Sequence, residues 1–580
     1  MVELRLRDLR LWMSENGFEA CVVPQTDPHM SEYVEKHDEL RSYFSGFTGS
    51  AGTLVVTQID AGLWTDSRYF IQAEIQLKGS GIGLYKIGLP DTPSMIEWTL
   101  SRVESTGRVA ANAMCFTKKE WQEWNSSVLM IHSVDFESCW RDRPLMSLNP
   151  CRLFPLEYAG ITAQEKLASL RLEMDLKSVD ACFISTLDDI AWLLNVRGED
   201  VEYVPVVRSY LWISKQQIKW WVDARKIIDP SLVQQLKSLD VIVLPYESIE
   251  NTLGCDANVK SVWVDTSLLN ARLCQLLEAS YAVVDAPLWT THRKATKNKV
   301  ELQGMQQAML LDGVAWVRSL KWLEEHLSCE LTELDFQETM ITYKKSSSHY
   351  LMESFEPIVG YGSNAAIVHY SATPQSNKVI GSSGFLLVDA GSHYEFGTTD
   401  ATRTIACGPL SDWQCKCYTW VLKGMIAVAS ARFAHETVGV DLDAKARYYL
   451  KENGLDYGHG TGHGVGHVLS VHERGATLNA RSTKPLLAGM VLSDEPGYYQ
   501  EGDFGIRIEN MLAVSDLDKS TYTFSVLTLI PLELKAICID LLSSEEKKWV
   551  NDYHRRIRES LFGLLTEEEY NWLKNKTYEI

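Results

Sequence analysis

The sequence predicts two homologous α/β domains followed by a larger third domain of mixed α and β character. Three observations carry that prediction: the length of the chain, an internal repeat, and a change of texture near residue 298. The 580 residues exceed what one hydrophobic core supports, since domains run to about 150 residues each. "LRLWMSENGFEACVV" from Leu9 and "LRLEMDLKSVDACFI" from Leu170 share Leu-Arg-Leu-x-Met, then Ala-Cys before two apolar residues. Each spells an amphipathic helix feeding a buried strand. Further along, "LWTDSRYF" (63–70) and "WWVDARKI" (220–227) share Trp-x-Asp-x-Arg at nearly the same distance. The expected domains are 1–150, 151–297 and 298–580.

In the third domain, Val300, Met305, Met309 and Val314 keep helical spacing. A second helix is expected from Asp412 to about Phe433. Near the C-terminus, Ser543-x-x-Glu546 and Thr566-x-x-Glu569 are capping boxes, each opening a charged helix.

A formal charge of −20 argues against nucleic-acid backbones and anionic membranes as partners. The N-terminal stretch is charged throughout, and no run of eighteen apolar residues occurs, so neither export nor membrane insertion is expected and the protein is placed in the cytosol. The twelve cysteines are scattered. Cys415 and Cys417 lack the spacing of a zinc knuckle, and reduced thiols are expected.

Chemistry concentrates in "YGHGTGHGVGHVLSVHE" (457–473), where His459, His463 and His467 recur every fourth residue. A zinc-protease helix is disfavoured by the five glycines at 458–466, each costing about 1 kcal/mol in a helix interior. The spacing Gly460, Gly462, Gly464 also misses the dinucleotide fingerprint. What remains is a loop that carries imidazoles close to another part of the chain.

Buried carboxylates supply that other part. Asp389 ends the apolar run of "GFLLVDAG", where an unpaired charge is expensive. Asp400 in "GTTDATRT" is expected on the returning strand of a hairpin, facing Asp389, and two such charges repel unless a cation lies between them. "MVLSDEPGYY" puts Glu495 at the end of another apolar run, and in "FGIRIENM" the period of two aims Arg507 and Glu509 to one side. Four carboxylates and one imidazole are the ligands of a two-metal hydrolase site, whose ions lie about 3.5–4 Å apart.

Asp389, Asp400, His463, Glu495 and Glu509, in that order, resemble the five ligands of the pita-bread metallopeptidases. "IVHY" with His369, "GHGTGHGVGHVLSVHE", "SDEPGYY" and "GIRIEN" are similar to the Xaa-Pro aminopeptidase branch. "SEYVEKHDELRSYFSGFTGSAGT", "LWTDSRYFIQAE", "WLLNVRGEDVEYVPV" and "LIPLELKAICID" extend the resemblance to the cytosolic three-domain form over nearly the whole chain.

The resemblance implies two creatinase-like N-terminal domains before a pita-bread catalytic domain, and removal of the N-terminal residue from peptides with proline second. In the family pattern Asp400 and Glu509 bridge two divalent ions, Asp389 binds one, and His463 and Glu495 bind the other. A hydroxide held between the ions is the nucleophile, and Glu495 shuttles its proton to the leaving nitrogen. His369, His459 and His472 face the substrate, with His472 and His369 steadying the carbonyl. Arg507 orients carboxylates. Arg68 either reaches the substrate or is structural. His467 has no family role and is assigned a structural hydrogen bond.

The resemblance further implies manganese, with zinc or cobalt able to occupy the site, and a homodimer. Two alternatives share the fold: a prolidase restricted to dipeptides, and a non-catalytic binding module that has lost its ligands. Phe396 departs from the family pattern, standing where a polar residue is expected before Gly-Thr-Thr-Asp.

Overall fold

The computed structural model describes residues 1–580 apart from 105, 106, 128 and 328. The chain forms two compact units, one of Met1–Leu156 with Ile161–Thr291 and one of Glu157–Gly160 with His292–Ile580.

The first unit contains two six-stranded sheets of one topology. Across the first, the strands run Gly83–Lys86, Ala61–Thr65, Thr53–Thr57, Ala20–Pro24, Arg108–Ala111 and Met130–Ser133; across the second, Val241–Leu244, Ile218–Trp221, Tyr210–Ser214, Ala181–Ile184, Ser261–Val264 and Ala282–Asp285. In each sheet the strand following the repeated helix is antiparallel to one neighbour and parallel to the other. The Ala-Cys pairs of the repeat are the buried starts of those strands.

Trp-x-Asp-x-Arg recurs as the same clasp. Arg68 Nε donates to Asp66 Oδ1 at 2.9 Å, and Arg225 Nε donates to Asp223 Oδ1 at 3.0 Å. Within the unit the two halves meet at buried charge. The Arg208 guanidinium pairs with Glu35 at 3.1 Å and with Asp38, while His29 Nε2 lies 2.9 Å from the Tyr246 hydroxyl.

The second unit opens with helix Lys299–His326, begun by a capping box between Asn298 and Glu301. Met305, Met309, Trp316 and Leu323 are buried along it. A three-stranded antiparallel sheet places Phe385–Asp389 between Ile358–Tyr361 and Thr402–Ala406. A six-stranded sheet has the order Arg432–Ala434, Thr521–Val526, Asn510–Asp516, Val491–Asp494, Gly462–Gly464, Glu473–Leu478. Leu422 and Met425 of helix Asp412–Ala429 share its core with Leu492 and Leu512.

Two local expectations are corrected. Helix Asp412–Ala429 stops short of Phe433, which instead pairs with Tyr522 in an edge strand. At "IVHY" a 3-10 turn over Gly362–Ala366 runs into a further turn, with Ile367 N–H donating to the Asn364 carbonyl. Asp400 stands just before its strand, because Asp389 pairs with Thr402 and the intervening chain forms a side hairpin of Ser392–Tyr394 and Gly397–Thr398. Both C-terminal capping boxes form as expected. Among the described residues no helix is long and apolar enough to cross a membrane.

Candidate metal centre

Two sheets of the second unit deliver carboxylates to one place. Asp389 closes the central strand of the three-stranded sheet, and Asp400 precedes its partner strand. From the six-stranded sheet come His463, in Gly462–Gly464, Glu495, just after Val491–Asp494, and Glu509, just before Asn510–Asp516. Oxygen or nitrogen atoms of Asp400, His463 and Glu509 all lie within 4.8 Å of one another. His463 Nε2 is 3.5 Å from Asp400 Oδ2 and 3.6 Å from Glu495 Oε1.

The electrostatics of this cluster are unfavourable without a cation. Burial first, then Asp389 and Glu495, drives the Asp400 carboxyl well above the usual range. Burial first, then Asp400, Asp389 and Glu495, does the same to Glu509. Glu495 is raised to about 7, chiefly by burial, with Asp389 adding to it and Arg507 and His472 opposing. Asp389 Oδ1 is buried with no hydrogen-bond partner among the described residues. Buried charges of one sign this close are tolerated when a cation neutralises them.

The imidazole is oriented for ligation. His463 Nδ1 lies 2.9 Å from the Gly464 carbonyl, which can only accept. Nδ1 is therefore the donor, and in the neutral ring Nε2 keeps its lone pair toward Asp400 and Glu495. The residues thus fit hard divalent cations with oxygen-rich coordination and one nitrogen.

Around them lies a chain of hydrogen bonds. Arg507 Nη2 donates to Asp389 Oδ2 at 2.6 Å, Nε to Thr402 Oγ1 at 3.1 Å and Nη1 to the Tyr499 hydroxyl at 2.8 Å. Thr402 in turn donates to Glu509 Oε2 at 2.8 Å. His459 Nδ1 donates to Gly460 O, so its Nε2, 2.8 Å from Tyr499, accepts from that hydroxyl.

His472 stands close by, its ring centroid 4.4 Å from that of His463. His369 is half-buried next to Val368, whose carbonyl accepts from Arg507 at 3.3 Å. His467 is buried, with Nε2 2.8 Å from Phe396 O. Phe396 offers that contact through its main chain, so the departure at its side chain leaves the bond intact. Arg68 belongs to the first unit, where Asp66 and Glu32 hold it.

Thr402 and Tyr499 were not legible as site residues. A threonine two residues after Asp400, and a tyrosine four residues after Glu495, carry no spacing signal, because their partners come from distant strands.

Residues 303–516 match metallopeptidase family M24, residues 5–139 and 142–301 each match a creatinase/prolidase N-terminal domain, and 520–580 match the C-terminal region of peptidase M24. Aminopeptidase P2 of Arabidopsis thaliana is 35% identical over 632 residues, spanning 100% of this chain and 88% of the plant protein. A probable Xaa-Pro aminopeptidase P of Talaromyces marneffei is 37% identical over 612 residues, 99% and 92% of the two chains. The X-prolyl aminopeptidase of Caenorhabditis elegans, a cytosolic enzyme with a dinuclear active site, superposes with a TM-score of 0.95 and 31% identity over 100% of both chains. With four creatinase and peptidase segments along its length and such relatives matching it from end to end, the chain belongs to metallopeptidase family M24, among its Xaa-Pro aminopeptidases.

Proposed function

We propose that Asp389, Asp400, His463, Glu495 and Glu509 hold the two divalent cations of a metalloaminopeptidase that removes the N-terminal residue from peptides with proline in the second position. The observation that carries this reading is the convergence of buried carboxylates on the Nε2 of His463. Asp400 and Glu509, each just before a strand of a different sheet, would hold the ions together with Asp389, His463 and Glu495. Manganese is the proposed native metal, in keeping with the oxygen-rich donor set.

Bound cations supply charge neutralisation and an activated water at neutral pH. The rest falls to side chains. The bond broken is a tertiary amide, whose proline nitrogen must gain a proton as it leaves. Glu495 is assigned that transfer, supported by its place beside both His463 and His472. His472 and His369 are assigned to the scissile carbonyl, where donors lower the cost of a developing oxyanion. His459, held by Tyr499, is assigned to the substrate side, and Arg507 to holding Asp389 in place. For Arg68 the clasp with Asp66 supports a structural role over substrate contact.

The proposal extends to three domains, 1–150, 151–297 and 298–580, to a cytosolic location, by analogy with the Caenorhabditis elegans enzyme, and to a homodimer, which rests on the sequence resemblance alone. The test is elemental analysis of purified protein combined with cleavage of an Xaa-Pro-Xaa peptide, before and after exhaustive chelation and after return of Mn²⁺. Two metals per chain and chelation-sensitive, manganese-restored cleavage are expected; undiminished cleavage by metal-free protein would refute the assignment.

A further inference from the structure

Between His463 and His472 the chain has to fold back on itself, since the two rings meet at 4.4 Å. The reversal is sharp and strained. Val468 sits at φ +51°, a region that β-branched residues rarely enter, and it is fully buried. Strain of this kind persists only where surrounding contacts over-determine it.

The contacts come from the side hairpin that leads into Asp400. Val468 N–H donates to Thr398 Oγ1 at 2.9 Å, and Thr398 is also 2.9 Å from His393 Nδ1. His467 Nε2 lies 2.8 Å from Phe396 O. A carbonyl can only accept, so Nε2 carries the proton and His467 is the donor. The acceptor cannot drift, because helix Lys299–His326 approaches it through Gly304, where even a Cβ would fall 2.0 Å from Phe396 O.

We propose that His467 is a positioning residue for the metal centre: its Nε2–H, held on the Phe396 carbonyl, sets the register between the loop carrying His463 and His472 and the hairpin carrying Asp400. The two ligand sets come from different sheets, and within the loop this side chain ties one to the other directly. The inference rests on the ligand assignment above. It adds a role for the one histidine of the glycine-rich segment that takes no part in ligation or substrate contact.

The test uses the manganese-loaded full chain. His467→Leu is expected to lower kcat about 10- to 100-fold, the range typical when support for a metal ligand is lost, with KM changed less than about threefold. The EDTA concentration that half-inactivates the enzyme, and that strips half the manganese by elemental analysis, falls in parallel. His467→Gln, whose amide nitrogen reaches the ε position, restores both values. Unchanged kcat and chelation midpoint in His467→Leu overturn the proposal, as does a His467→Gln variant no better than leucine. If the leucine variant fails to fold, His467→Gln is compared with His467→Asn, whose amide reaches only the δ position; equal behaviour of the two again overturns it. Wild-type protein without metal-dependent cleavage would instead defeat the ligand assignment itself.

Discussion

Arg507 Nη2 lies 2.6 Å from Asp389 Oδ2 with both groups shut off from bulk solvent. The same guanidinium holds Thr402, Tyr499 and the Val368 carbonyl, so its planar fork serves four partners at once. Lysine offers a point charge without that fork. Arg507→Lys is therefore expected to cut kcat about 10- to 100-fold. Arg507→Met leaves Asp389 without its cation and should cost about 3–5 kcal/mol in the metal-free protein. Steady-state kinetics and urea melts check the pair; a lysine variant with full activity would show that charge alone suffices.

Asp400 Oδ2 lies 3.5 Å from His463 Nε2 and clusters with Glu509 as well. Asp400→Ala should abolish both activity and tight metal retention. A ligand present at about 1,000 times its Kd adds about 4 kcal/mol to stability, so Mn²⁺ should raise the melting temperature of chelated wild type by several degrees and leave the variant's unmoved. Scanning calorimetry with and without the ion reads the difference.

A prolidase with the same ligands would cleave Xaa-Pro and spare Xaa-Pro-Xaa. Chromatography of a tripeptide digest should show the free first residue and a Pro-Xaa dipeptide. Hydrolysis confined to dipeptides would move the chain into the other branch.

The first unit carries a pH dependence of its own. Burial, with Asp38 second, raises the Asp27 carboxyl to about 6, against the opposing pull of Arg208 and of the Ser31 and His29 N–H groups. Folding therefore penalises ionised Asp27 at pH 8, and the penalty is relieved as pH falls through 6 toward 4. Asn in place of Asp27 keeps the acceptor for His29 and Ser31, both at 2.9 Å, and discards the charge. With a shift from 3.8 to about 6, Asp27→Asn should gain roughly 3 kcal/mol at pH 8 and little at pH 4. Asp38, Glu35, Arg208, Lys226, His29 and Tyr246 are common to both proteins, so the difference between their denaturation midpoints reads Asp27 together with its effect on Asp38. A difference that is flat with pH would refute the shift.

Much of this architecture is legible in one sequence because it is written locally. The repeated Leu-Arg-Leu-x-Met helices, the apolar runs that end in Asp389 and Glu495, and the boxes at Ser543 and Thr566 are set by neighbours in the chain. What is hidden depends on distant partners. The side hairpin 392–398 displaces Asp400 from the strand, and it exists because Tyr350–Glu353 pairs with Ser392–Tyr394. Phe433 leaves its helix for the same reason, an edge position beside Tyr522. Tyr499 and Thr402 matter through bonds to Arg507, and Val468 adopts a torsion that its residue type disfavours.

The twin clasps at Asp66–Arg68 and Asp223–Arg225 give the molecule a built-in reference. Replacing Arg225 by Ala removes the ion pair from one copy of a fold, and replacing Arg68 removes it from the other, so the local price of losing a clasp can be subtracted. Whatever remains in the Arg68 variant comes from what Arg225 lacks, the pairing with Glu32 and deeper burial included, and a change in peptide turnover is read against that. The repeated fold thereby carries an internal comparison for one ion pair in two settings.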